Sequence, residues 1–90
     1  MSDIKYIPKP RTDVIFQEVN GESILLDNSG GLIHQLNTTA SFIWQHCDAS
    51  NSIETIANIL AQNYSVSIED AINDVTDVIN NFKDNNLLIE

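Results

Sequence analysis

The stretch Leu32-Ile33-His34-Gln35-Leu36-Asn37-Thr38-Thr39-Ala40-Ser41-Phe42-Ile43-Trp44 decides the fold, because a strand ends and a helix begins within two residues. Leu32 to Leu36 alternates in the manner of a half-buried strand. Asn37 is a strong helix-capping residue, and Ala40, Ile43, Trp44 and Cys47 then recur at spacings of three and four. A strand tied so closely to a helix has its edge fixed against a helical layer. Such an edge, short and tethered, is a place where an extended peptide can dock.

Upstream, Ile24-Leu25-Leu26-Asp27 leads into Asn28-Ser29-Gly30-Gly31, so Glu22–Asp27 and Leu32–Leu36 form a hairpin. The glycines sit between two strands, where a positive φ is the natural demand, and lack the order and the lysine of a phosphate loop. Asp13 to Glu18 reads as another strand, followed by Asn20-Gly21, a strong two-residue hairpin turn. The result is a three-stranded antiparallel meander that needs helices on one face. Residues 1–12, with Pro8 and Pro10, read as an extended arm, and 13–90 as the folded domain.

Downstream, Ser52 caps a second helix with apolar positions Ile53, Ile56, Ala57, Leu60 and Tyr64. Ser67 opens a third helix, with Glu69 and Asp70 favourably placed in its first turn. The apolar stripe of that helix is Ile68, Ala71, Ile72, Val75, Val78 or Ile79, and Phe82. Asn85-Asn86 ends it, and Leu87-Leu88-Ile89 is an apolar tail expected to pack back on the body. The fold class is α+β, with the three strands followed by three helices.

Ninety residues allow one modest core, and a hydrophobic fraction of 42% is enough to fill it. Met1-Ser2-Asp3 lacks the pattern of a secretion signal, no apolar run is long enough to span a bilayer, and one cysteine forms no internal disulfide. The expected location is the cytoplasm. The 13 acidic residues outnumber the 4 basic ones for a net charge of −9, and Lys5, Lys9 and Arg11 all lie in the N-terminal segment. A phosphate backbone would be repelled, whereas a basic face on a partner would be attracted.

Two clusters invite chemistry. His46-Cys47-Asp48 are adjacent on a helix and point about 100° apart, with only His34 elsewhere, so neither a metal site nor a Cys-His nucleophile is expected. Asp70, Asp74, Asp77, Asn81 and Asp84 recur at spacings of four and three, so they form one stripe of the third helix. The ordinary explanation of that stripe is a solvated face; the sharper one is a strip that attracts a basic partner. Calcium suits it poorly, since calcium loops are irregular and bend at a glycine. Strand alternation also sets Ile33 and Gln35 opposite Leu32, His34 and Leu36, which leaves Ile33 apolar on the open side if Leu36 faces the helices.

Together these residues resemble the PqqD-like proteins. The pattern is Ile24-Leu25-Leu26-Asp27, then Gly31-x-x-His34-x-Leu36-Asn37-x-Thr39-Ala40-x-x-Ile43-Trp44, Cys47-Asp48, and Ile53-Glu54-x-Ile56-Ala57-x-x-Leu60-x-x-x-Tyr64, with Asp74-Val75 and a final Leu88-Ile89. The resemblance covers roughly residues 13–90, and its most specific part is Leu36-Asn37-x-Thr39-Ala40-x-x-Ile43-Trp44. Asp48-Ala49 stands where many relatives have Asp-Gly, and Ser52 where many have threonine. That family includes the pyrroloquinoline-quinone biosynthesis chaperone and the recognition proteins of lasso-peptide and radical-SAM peptide pathways. The resemblance implies a fold related to winged helix-turn-helix domains. It also implies binding of a precursor's leader segment as an added strand, for presentation to a radical-SAM enzyme or a cysteine-type leader protease.

Carried over, the peptide-binding residues are Leu32, Ile33, His34, Gln35 and Leu36 on the strand, and Ala71, Asp74, Val75, Val78, Asn81 and Phe82 on the third helix. The resemblance implies no cofactor, no metal and no catalytic residue. The competing reading is a winged-helix DNA-binding regulator, which the helix order permits but a second helix without lysine or arginine opposes. A third is a structural subunit of a larger enzyme. The strand edge can also pair with a second copy, giving a homodimer.

Overall fold

The computed structural model describes residues 4–89; Met1, Ser2 and Asp3 of the expected arm and Glu90 lie outside the described residues. The central sheet has β2 (Val14–Val19), β3 (Glu22–Asp27) and β4 (Leu32–Leu36) in the antiparallel order β2-β3-β4. Asn20 and Gly21 take φ of 53° and 80°, and Val19 pairs with Glu22, so the first hairpin closes in two residues as its sequence demands. The second turn is held by Asp27, whose carboxylate accepts the backbone N–H of Ser29 and of Gly30, while Gly31 supplies φ of 66°.

Three helices follow: α1 (Thr38–Gln45), α2 (Ile53–Tyr64) and α3 (Ile68–Asp84). Each carries its expected cap. The Asn37 side chain accepts from Ala40 N–H at 2.8 Å, Ser52 from Thr55 at 3.2 Å and Ser67 from Asp70 at 3.1 Å. At the far end of α3, Asn86 adopts φ of 59°. Leu87 N–H then reaches Phe82 C=O at 2.9 Å and Asn86 N–H reaches Lys83 C=O at 3.0 Å, the paired bonds of a Schellman turn. That turn sends the chain back so that Leu87 and Leu88 enter the core.

The core lies between the inner sheet face and the helices. Leu25, Ile43, Ile56, Val75 and Ile79 are fully buried, and Trp44 meets Phe82 edge-on with ring centroids 5.2 Å apart. The N-terminal segment belongs to this body. Lys9–Pro10 (β1) pairs antiparallel with Leu88–Ile89 (β5). Further back, the Tyr6 and Ile4 carbonyls accept Ile53 N–H at 3.0 Å and Glu54 N–H at 2.9 Å, satisfying donors that the first turn of α2 would otherwise leave open.

Arg11 ties these parts together. Its guanidinium donates to both carboxylate oxygens of Asp13 and of Asp27, to the Ser29 hydroxyl, and to Asn86 C=O at 2.6 Å. Arg11 holds the Asp13 carboxyl below the ordinary range. At Asp27 burial opposes the charge, yet the Ser29 hydroxyl, the Gly30 N–H and Arg11 outweigh it and hold this carboxyl low as well. Groups with a depressed folded pKa stabilise above their unfolded value, and that contribution is lost as pH falls through the folded one. Arg11→Met is therefore expected to lower the melting temperature most at neutral pH. The difference from the parent should narrow on acidification below 3.8, the ordinary carboxylate value. Thermal unfolding followed by circular dichroism at neutral and acid pH checks this; a gap independent of pH would contradict it.

A cleft beside the open sheet edge

Strand β4 ends the sheet: one side pairs with β3 and the other has no strand partner among the described residues. The described part of the N-terminal segment, from Ile4 onward, is engaged at β5 and the start of α2 instead. Between β4, the start of α1 and the second half of α3 lies a cleft of about 310 Å³. Gln35, Leu36 and Asn37 form one wall, Asp77, Val78 and Asn81 the other, with Ala40 and Phe82 also lining it.

The pleat distributes the strand's side chains as alternation requires. His34 pairs with Leu25 and Leu36 with Ser23 on the inner face, both half-buried. Leu32 shares their parity but is 55% exposed, because it stands at the turn end of the strand, beyond cover by the helices. Ile33 faces the other way and is 68% exposed, at the end of the cross-strand row Ile15–Leu26–Ile33. His34 Nε2 is buried without a hydrogen-bond partner.

On α3 the structure divides the expected residues into two groups. Val78 and Asn81 reach the cleft surface and Phe82 forms a lining position while only 1% exposed. Ala71 and Val75 are corrected: both are fully buried, because their helix face is the one that packs into the core, and neither offers surface to a ligand. Asp74 is exposed but does not line the cleft. Asp77, Asn37 and Ala40 line it and were missing from the expected set. Asp77 was legible as a member of the acidic stripe, and Ala40 as the first small residue on the inward face of α1. The whole stripe, Asp70, Asp74, Asp77, Asn81 and Asp84, is exposed. The nearest basic residue on this helix, Lys83, has its ammonium 4.0 Å from the Tyr6 ring centroid. The cleft thus combines a strand edge without a strand partner among the described residues, an apolar floor and one carboxylate, Asp77, on its helical wall.

The other candidate cluster is built locally. The His46 ring donates from Nδ1 to Phe42 C=O at 2.8 Å and stacks on the Phe42 ring. Asp48 accepts from Ser50 and Asn51, and Cys47 Sγ donates to Ile43 C=O at 3.2 Å. Burial, with Asp48 adding to it, pushes the Cys47 thiol up to about 12. The native protein should therefore resist Ellman's reagent at pH near 8 and react fully once unfolded in guanidinium; rapid labelling of the folded chain would contradict this placement. Among the described residues no group of three or more His, Cys, Asp or Glu side chains is arranged to hold a metal. No helix among them is long and apolar enough to cross a membrane.

A family model, coenzyme PQQ synthesis protein D (PqqD), matches residues 22–88 of the chain. No curated protein matches it. Among solved structures, "Lasso peptide synthetase B1 complexed with the leader peptide" is similar at a TM-score of 0.83 and 26% identity, over 94% of this chain and 100% of that one. "TbiB1 in Complex with the TbiA(beta) Leader Peptide" shares the fold at a TM-score of 0.79 and 24% identity, over 89% of this chain and 93% of that one.

Proposed function

The chain belongs to the PqqD family, and we propose that it binds the leader segment of a ribosomally made precursor peptide and presents it to a tailoring enzyme. The observation that carries this reading is the free rim of β4 beside the cleft, with the chain's own N-terminal segment engaged elsewhere. An extended peptide laid along β4 completes the backbone bonding of the sheet and sets alternate side chains into the cleft. The two solved structures named above hold leader peptides, which supports a leader peptide as the ligand here.

In this reading the peptide pairs with Leu32–Leu36, and Val78, Asn81, Phe82, Ala40 and Asp77 receive its side chains. Each backbone bond contributes about 0.5–1.5 kcal/mol. One or two buried aliphatic anchors add about 1.5–3 kcal/mol each. Ordering the peptide costs about 1–2 kcal/mol per residue, which offsets much of the gain. The net corresponds to a Kd around micromolar or somewhat tighter. Backbone pairing tolerates many sequences, so specificity rests on the anchors, on Asp77 and on the exposed acidic stripe of α3.

The chain acts as a recognition element, leaving the chemistry to a cytoplasmic radical-SAM enzyme or cysteine-type leader protease. A second copy competes for the same rim, so peptide should dissociate any edge-to-edge dimer. The DNA-binding alternative lacks cations where it needs them: α2 has none, and Arg11 is enclosed by carboxylates. Isothermal titration with a synthetic leader from a short precursor encoded in the same gene neighbourhood tests the proposal. Saturable binding near micromolar is expected; no heat at 100 µM peptide, with binding to duplex DNA instead, would overturn it.

A further inference from the structure

A second cleft, of about 740 Å³, opens at the end of the sheet beyond Leu36. It lies between the first hairpin and α1, and it shares Gln35, Leu36 and Asn37 with the cleft already described. Glu18 and Glu22 lie on its hairpin side, and Phe42 and Tyr64 line it from the helices. The two rings meet edge-on with centroids 5.4 Å apart, and Tyr64 is 45% exposed, so an aromatic surface is open to solvent there. Glu18 is exposed and makes no hydrogen bond or ion pair within the described chain. Glu22 accepts only the neutral side-chain amide of Gln35, at 3.0 Å. No lysine or arginine lines the cleft.

Two carboxylates without a cation beside an open aromatic surface are the chemistry that recognises an ammonium or guanidinium group. We propose that this cleft is a specificity subsite for a lysine or arginine of the bound peptide, in the segment flanking the part paired with β4. The proposal rests on the strand-addition reading above and adds to it a chemical preference and a polarity. The sheet is antiparallel throughout. An added strand that continues this order runs opposite to β4, so its N-terminal flank passes Leu36, crosses Asn37 and Thr38, and meets the second cleft. The basic residue therefore precedes the apolar anchors.

The test is a random 16-residue peptide library displayed on phage and selected in parallel on the full chain and on its Glu18→Gln/Glu22→Gln variant. Both glutamates are exposed at a hairpin, so the variant folds, which a matching melting curve verifies. Selection on the parent should enrich apolar residues at alternate positions, with Lys or Arg at a constant offset on their N-terminal side. The variant should keep the apolar pattern and lose the basic residue. A synthetic pair drawn from the winners, lysine against norleucine, should differ roughly fivefold in Kd on the parent and not on the variant. An apolar pattern with no basic preference, with one on the C-terminal side, or with one that persists in the variant overturns the subsite and leaves the strand-addition reading intact. No enrichment of any alternating pattern overturns both.

Discussion

Phe82→Ala is expected to lower the melting temperature by more than roughly 12 °C, and to leave a substantial fraction of the chain unfolded at 37 °C. Phe82 is only 1% exposed, and its ring closes on Trp44 at 5.2 Å. Truncating a buried phenylalanine costs about 3–5 kcal/mol when the cavity cannot collapse. Collapse is obstructed here, because Phe82 is also the residue whose carbonyl receives Leu87 N–H in the turn that ends α3. The helix cannot shift inward without carrying Leu87, Leu88 and the β1–β5 pair with it. A domain of this size has about 5–10 kcal/mol of total stability, so the loss is a large share of it. Urea titration of the variant checks the figure; a fall below roughly 1 kcal/mol would mean that the core is built differently.

Val78→Asp has a different profile: a domain that stays folded with only a modest loss of stability, and a large loss of binding. Val78 is half-buried and lines the cleft opposite Leu36, so aspartate there can hydrate its charge at the surface. A bound leader, however, would have to bury that charge or forgo an aliphatic anchor worth about 1.5–3 kcal/mol, a roughly ten- to hundredfold rise in Kd. The same leader should also bind Ile33→Asp more weakly, through the exposed outer face of the edge strand. Titration of each variant, alongside its melting curve, separates the two profiles. A Val78→Asp protein that binds leader like the parent would remove α3 from the site.

What the sequence made legible was local chemistry. Asn20-Gly21 requires left-handed backbone and obtains it, and Asn37, Ser52 and Ser67 cap the helices they precede. The strand bounds Glu22–Asp27 and Leu32–Leu36 follow from alternation and turn residues alone. Contacts between distant segments were not legible. A two-residue strand such as Lys9–Pro10 carries no periodic signal, and its pairing with Leu88–Ile89 is known only once α3 has turned back. Arg11 looked like one charge among several in an irregular lead-in, yet it joins that lead-in to two strand ends and to the end of α3. The same limit governs the site. Periodicity placed Ala71, Val75, Val78 and Phe82 on one broad apolar stripe. Only the packing of α3 against the rest of the core decides that Ala71 and Val75 are covered while Val78 borders the cleft.

The account depends on backbone groups of β4 that wait for a partner, and amide hydrogen exchange reads those groups directly. With saturating leader peptide, the Leu32–Leu36 amides that do not bond to β3 should slow by about tenfold or more, while the β2 amides on the opposite edge stay as they were. Exchange along β4 that is unchanged at saturation, or already slow in the free protein, would contradict strand addition at this edge.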